Sequence, residues 1–307
     1  MWSPYKLRSW IKLDKLNWDI LCENPKAIGL LEKYSDNLNW RALSKNENAL
    51  HLLEKNKNRI DWFNLCLNSN GIDLLNKNKD KIHINALTSN TNPRALDLIK
   101  YFKDRKIMPN LSNTSPKYIE MDEYSENILY TNLCSNINAT NIIKNNIKMN
   151  QDKKLSWARI CRNENAISII KENKEKINWA WLCANKNALD ILENNQENIH
   201  WYILSSNENA MPLLLKNKEK IYWKGFSRNP AAIHVLEENQ DKIDWDNLSK
   251  NPEIFELDYR LISERMRIIE KDLMECAWSA KRIEKYIIEF NYYLDDDEYI
   301  EDYELCG

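Results

Sequence analysis

Glycine is scarce here: four in 307 residues. Tight β-turns draw on glycine for positive φ, so this shortage disfavours a turn-rich β protein and suits short helices. No run of 18 apolar residues suggests a membrane span. The opening "MWSPYKLRSW" lacks the apolar core of a secretory signal. There is no GxGxxG, no GxxxxGK[ST], no HExxH and no triad-like set. The four histidines, His51, His83, His200 and His234, show no ligand spacing. A formal charge of −2 excludes a polycation built to coat nucleic acid, but the charge is uneven. Residues 295–304, "DDDEYIEDYE", carry seven acids, so the rest of the chain stands at about +5.

What is present is a period. Trp18, Trp40 and Trp62 are 22 residues apart, and Ile84 continues the register. Trp157, Trp179, Trp201, Trp223 and Trp245 repeat the spacing. Met108 and Tyr130 fit between them if short insertions are allowed, giving eleven units with the fifth poorly formed. A fixed period of this length predicts a solenoid or array.

Within a unit, offsets are counted from the Trp. Leu or its equivalent stands at +3 and Cys, Ser or Thr at +4, as in Leu65–Cys66 and Leu248–Ser249. Positions 0, +3 and +4 share one helix face. Asn39, Asp61, Asn178 and Asp244 precede the anchor as N-caps. The spacing therefore predicts a helix A of about two turns. At +6 an Asn recurs in ten of the eleven units, followed by Pro in Pro25, Pro230 and Pro252. Asn at N-cap with Pro at N1 predicts a second helix, B, about nine residues long. A later Asn at +16 (Asn56, Asn78, Asn173) predicts a left-handed C-cap. Neither helix is long enough to stand alone, so stability must be a sum of neighbour interfaces. Eleven layers at roughly 8–10 Å each predict a rod or superhelix on the order of 100 Å long. A leucine-rich horseshoe has an overlapping period, but its LxL strand motif is absent.

Five of the seven cysteines (Cys22, Cys66, Cys134, Cys161 and Cys183) occupy +4, where other units have Ser or Thr. A metal or redox site would not accept that exchange, whereas a tight packing position would. No metal and no cofactor are expected, and free thiols suit a reducing compartment.

The face of helix A opposite its core is +1, +2 and +5. It carries Arg41, Lys45, Phe63 and Leu67 early in the chain. Later it carries Arg159, Arg162, Trp181, Tyr202, Lys224, Arg228 and Lys250, with Asp246 among them. Aromatics between cations on a face without core duty fit an acidic or phosphorylated peptide, or single-stranded nucleic acid. The alternative is that Trp181 and Tyr202 tuck against neighbouring layers.

The ends break the period. Residues 1–12 predict an N-terminal cap helix with Trp10 inward, and the array is expected over 13–257, irregular at 101–128 and 147–156. Residues 258–292 predict a C-terminal helical cap or docking module. Residues 293–307 are an acidic tail.

The unit "INWAWLCANKNALDILENN" resembles the short Trp/Leu/Asn repeats of proteins from giant, amoeba-infecting DNA viruses, over about residues 13–256. The end "LMECAWSAKRIEKYI" also resembles the tail such proteins carry. Met274, Arg282 and Ile283 match, while Ser279 and Ala280 depart from the usual His–Pro. The resemblance implies a viral origin, placing the protein in host cytoplasm or virion, and an α-helical repeat fold; it carries over no catalytic residues. The expectation is an all-α solenoid, not an enzyme, binding a protein partner as scaffold or adaptor. Nucleic acid is the alternative partner; no membrane or small-molecule substrate is expected.

Overall fold

A computed structural model describes residues 3–34, 38–109, 117–149 and 155–290. It divides into two compact units, residues 1–256 and 257–307. The chain is all-α in character, a helical repeat protein with four three-residue strands among the described residues: β1 (Tyr5–Leu7), β2 (Ile107–Pro109), β3 (Tyr118–Glu120) and β4 (Phe255–Leu257).

Each repeat follows one plan. Helix A is four to six residues long, for example Trp62–Leu67 or Trp179–Leu182, except at Tyr130, where it runs from Glu123 to Leu133. Asn17, Asn39, Asp61, Asn178 and Asp244 cap it through the side chain, whereas His83, Ser156, His200 and Tyr222 at the same position do not. A 3-10 turn such as Pro230–Ala232 runs directly into helix B, here Ile233–Glu238, and together they make the nine residues expected. The Asn at +16 does not adopt the left-handed conformation. Asn56 has φ −127° and ψ 52°, and its amide instead donates 2.9 Å to the Leu52 carbonyl four residues back. A side-chain donor thus satisfies a helix-end carbonyl that a left-handed residue would otherwise satisfy.

The +6 asparagines are buried and hold the layers together. Asn46 Nδ2 donates to the Cys22 and Asn24 carbonyls, both at 2.9 Å. Asn68, Asn90, Asn163, Asn185, Asn207, Asn229 and Asn251 repeat this bond pair to the layer before them. Asn136 reaches past the expected fifth unit, to Thr88 O at 2.7 Å and Asn90 O at 3.0 Å. The Met108 unit is therefore not a layer. Instead β2 and β3 pair antiparallel with Met108 opposite Ile119, and Lys106 enters the hairpin with φ 52°. Its Leu111 and Ser112 lie outside the described residues. The physical reason is visible in that stretch: Thr114 replaces the ladder asparagine. The second irregularity, at 147–156, leaves the ladder intact, since Asn163 bonds Cys134 O and Asn136 O normally.

Ten layers remain, anchored at Trp18, Trp40, Trp62, Ile84, Tyr130, Trp157, Trp179, Trp201, Trp223 and Trp245 and numbered in that order. They do not form an open rod. Asn24, in layer 1, donates to Ser249 O (3.2 Å) and Asn251 O (3.0 Å) of layer 10, the same bond pair every other layer makes. Asn17 N–H donates to Ser249 Oγ at 2.9 Å, again the standard interlayer bond. Residues 1–256 thus close into a ring. One hydrophobic core cluster runs through the seam, from Ile11 and Leu16 to Leu248, Ile254 and Phe255.

The chain ends share the tenth layer. After Pro252–Ile254 the last repeat stops, and β4 pairs with β1. The 3-10 turn Leu13–Lys15 supplies the one that layer 10 lacks, and Lys15 covers Trp245 at 4.9 Å as Lys81 covers Trp62 at 4.7 Å. Tyr5–Leu7 is therefore a strand, not a cap helix, because its backbone finds a partner strand; Trp10 does pack inward against the core. Layer 1 covers the end that a C-terminal cap would have covered. Residues 258–290 hold two helices, Tyr259–Ala277 and Ala280–Phe290. The acidic tail at 293–307 lies outside the described residues.

Candidate basic and aromatic face

Interlayer hydrogen bonds concentrate on helix A and the turn after it, and neighbouring A helices lie close to one another. The B helices stand farther apart. Between those of layers 6 and 7 a wedge of about 470 Å³ opens, lined by Lys171, Lys174, Asp190 and Ile191. In a closed stack the crowded column lies on the shorter circumference, so A helices form the concave side and B helices the convex side. At roughly 9 Å spacing, ten A helices make a circle about 90 Å around and about 30 Å across between helix axes.

The +4 side chains explain the cysteines. Cys66 Sγ accepts the His83 N–H at 3.3 Å, and Cys183 Sγ accepts the His200 N–H at 3.3 Å. Ser205 and Ser227 accept the same bond through Oγ, at 2.9 and 3.0 Å. The position needs a small side chain that also accepts a hydrogen bond from the next layer. Sulfur and hydroxyl both serve, which is why they interchange. Burial pushes the Cys66 thiol up to about 12, and it raises Cys22, Cys134, Cys161 and Cys183 as well. These thiols stay protonated and are poor nucleophiles and poor ligands.

The tryptophan anchors are half-buried rather than fully buried, and a +19 cation covers one ring face of Trp40, Trp62, Trp157, Trp201 and Trp223, as with Lys220 over Trp201 at 4.7 Å. The +1, +2 and +5 positions of helix A are where the expected partner-binding residues sit. Arg159 and Arg162 (layer 6), Trp181 (layer 7), Tyr202 (layer 8), and Lys224 and Arg228 (layer 9) occupy four consecutive layers and are all exposed. Trp181 is 44% and Tyr202 64% exposed, so neither is consumed by packing. Arg162 stands over the Trp181 ring at 5.7 Å, and Tyr202 meets Tyr222 at 4.5 Å. Among the described residues Arg159, Lys224 and Arg228 have no acidic partner.

The other two candidates lie elsewhere. Arg41, in layer 2, is exposed but stands beyond the seam from layer 9. Phe63, in layer 3, meets His83 edge-on at 5.4 Å and lines a cavity of about 190 Å³ with Met108, Pro109 and Met121 of the inserted hairpin. Closure adds a contrast that the linear sequence hides. The acids of this face gather at the seam: Glu23 pairs with both Lys45 (3.4 Å) and Lys250 (3.8 Å). Asn17 and Asn39 donate to Asp246 and Asp19. The seam is neutralised, while layers 6–9 keep unpaired cations. The signal that would have revealed closure is in the sequence. "LDKLNW" at 13–18 matches the end of a repeat, "KDKIHI" at 79–84, and the last repeat lacks that end.

Among the described residues no helix is long and apolar enough to cross a membrane, and no cluster of three metal-ligating side chains occurs. Comparison with protein-family models, curated proteins and solved structures finds no match.

Proposed function

We propose that this ring is a non-enzymatic scaffold or adaptor that grips an acidic segment of a partner protein on the concave face of layers 6–9. The observation that carries the reading is the exposed set Arg159, Arg162, Trp181, Tyr202, Lys224 and Arg228 on consecutive layers, with no acidic partner for Arg159, Lys224 or Arg228 among the described residues. Guanidinium groups pair with carboxylate or phosphate in forked geometry, and the two rings offer contact area at little entropic cost. A short acidic segment fits better than a long nucleic acid. The basic tract is confined to four layers, and Asp19, Glu23 and Asp246 interrupt the same face around the seam. The repeat resemblance supports a viral setting, in host cytoplasm or in the particle.

The test is fluorescence anisotropy with a phosphorylated acidic peptide and a single-stranded DNA oligonucleotide of equal charge. The expected result is peptide binding that survives moderate salt, weakens at least about tenfold in Arg162→Ala/Trp181→Ala, and exceeds binding of the oligonucleotide. Preference for the oligonucleotide, with affinity falling steeply in salt, would replace this reading with the nucleic-acid one. Unchanged binding by the double variant would remove the face as the site.

A further inference from the structure

The helix Tyr259–Ala277 has no buried residue along its 19 positions. Its apolar side chains face solvent: Tyr259 is 72%, Met266 57%, Leu273 63% and Ile269 36% exposed. Six of its side chains form one stripe, with Ile268 (51% exposed) and Met274 (54%) lying off it. Tyr259, Ile262, Met266, Ile269, Leu273 and Cys276 alternate steps of three and four. That 3.5-residue seam is the first and fourth position of a heptad repeat, which a straight helix packed on a globular core does not need. The sequence holds the same register past the break at Trp278–Ser279, at Ala280, Ile283, Ile287 and Phe290. Within the helix the stripe spans residues 259–276, about two and a half heptads, and the sequence pattern continues through the second helix to Phe290.

From this geometry we infer that helix Tyr259–Ala277 pairs in parallel, in register, with the same helix of a second copy of this chain. The flanking charges choose the partner and the direction. Arg265 precedes a seam residue and Glu270 follows one, five positions apart, the spacing at which opposite charges meet across a parallel pair. Arg265 on each copy then faces Glu270 on the other, twice by symmetry. In an antiparallel pair centred on residue 265, Arg265 would instead face its own copy and Asp258 would face Asp272. Four further charges pair within the helix, Arg260 with Glu264 and Lys271 with Glu275, both at 3.7 Å, while Arg267 and Asp272 lie off the seam. Cys276 lies on the seam and is exposed, so a parallel in-register pair brings it against its own copy. The inference is independent of what layers 6–9 bind.

The experiment uses the full chain carrying Cys306→Ser, which removes the cysteine outside the described residues; among those described, Cys276 is the one exposed thiol. Light scattering is expected to give twice the 36.6 kDa chain mass. Diamide, as the thiol oxidant, is expected to yield a covalent dimer that Cys276→Ser abolishes. Leu273→Glu should return the chain to monomer with its helical circular dichroism intact. Arg265→Glu should weaken the dimer at least about tenfold, and Arg265→Glu with Glu270→Arg should restore it. A monomer at all concentrations up to about 100 µM would overturn the inference. So would a dimer that survives Leu273→Glu, or one that Cys276 fails to cross-link.

Discussion

Replacing Asn185 by Ala tests the interlayer ladder directly. Asn185 is fully buried, and its Nδ2 donates 2.9 Å to both Cys161 O and Asn163 O. Its Oδ1 accepts the Asn187 N–H at 2.9 Å, capping the turn that leads into helix Leu189–Glu193. Three hydrogen bonds are lost, together about 3 kcal/mol at roughly 1 kcal/mol each. Asn163 O keeps a second donor, Ala166 N–H at 3.0 Å, but Cys161 O loses its interlayer partner in a buried place. An orphaned buried carbonyl adds about 1–2 kcal/mol, so the expected loss is about 4–5 kcal/mol. Asn187→Ala is the control: it removes one exposed bond, to Glu164 O at 3.1 Å, and should cost less than about 1 kcal/mol. Asn185→Asp keeps the shape but turns a carboxylate toward two carbonyl oxygens, and should be worse than Ala. Guanidinium unfolding followed by tryptophan fluorescence measures all three. If Asn185→Ala costs no more than Asn187→Ala, the ladder does not hold the layers and the reasoning fails.

Deleting residues 1–16 removes β1, the Leu13–Lys15 turn and the cover over Trp245; the expected result is a large fall in melting temperature and rapid hydrogen exchange at the layer 10 face, seen by mass spectrometry. Replacing Trp201 by Ala should cost about 1.5–3 kcal/mol in the same unfolding assay, below the 3–5 kcal/mol of a fully buried Trp, because the ring is only half-buried. Cys66 should resist iodoacetamide at pH 8 in the folded chain while exposed Cys276 is modified, as peptide mapping would show. Its raised folded value also fixes a sign. The stability is fully present below about pH 9, the unfolded thiol's value, and is lost as pH rises toward about 12; Cys66→Ser should flatten that alkaline limb of the unfolding curve.

The repeat was legible because its chemistry is local. An Asn followed by Pro or Glu, a small residue at +4 and an anchor every 22 residues each state a backbone requirement within a few positions. The candidate face was legible for the same reason, since three offsets of one short helix define it. Closure was not, because it depends on curvature, a small angle summed over many interfaces, and no single repeat encodes it. The missed clue was arithmetic: Leu13–Trp18 is the end of a repeat with no beginning, and Trp245–Ile254 is a beginning with no end. The Met108 unit was misread because spacing was allowed to outweigh the missing ladder asparagine. Cys against Ser at +4 was read as a matter of size, when acceptor chemistry decides it equally.

An open array can lengthen by duplication with little consequence, but a closed one counts. Ten layers share a full turn at about 36° each, and an eleventh would require about 33° at every joint. A duplicated or deleted unit therefore registers as misalignment at the one joint without a covalent link, between Asn24 and Asn251. Additional sequence is tolerated where it leaves the ladder, as strands Ile107–Pro109 and Tyr118–Glu120 do by pairing with each other while Asn136 bonds straight to Asn90. Repeat number in this protein is thus a geometric constant rather than an adjustable length.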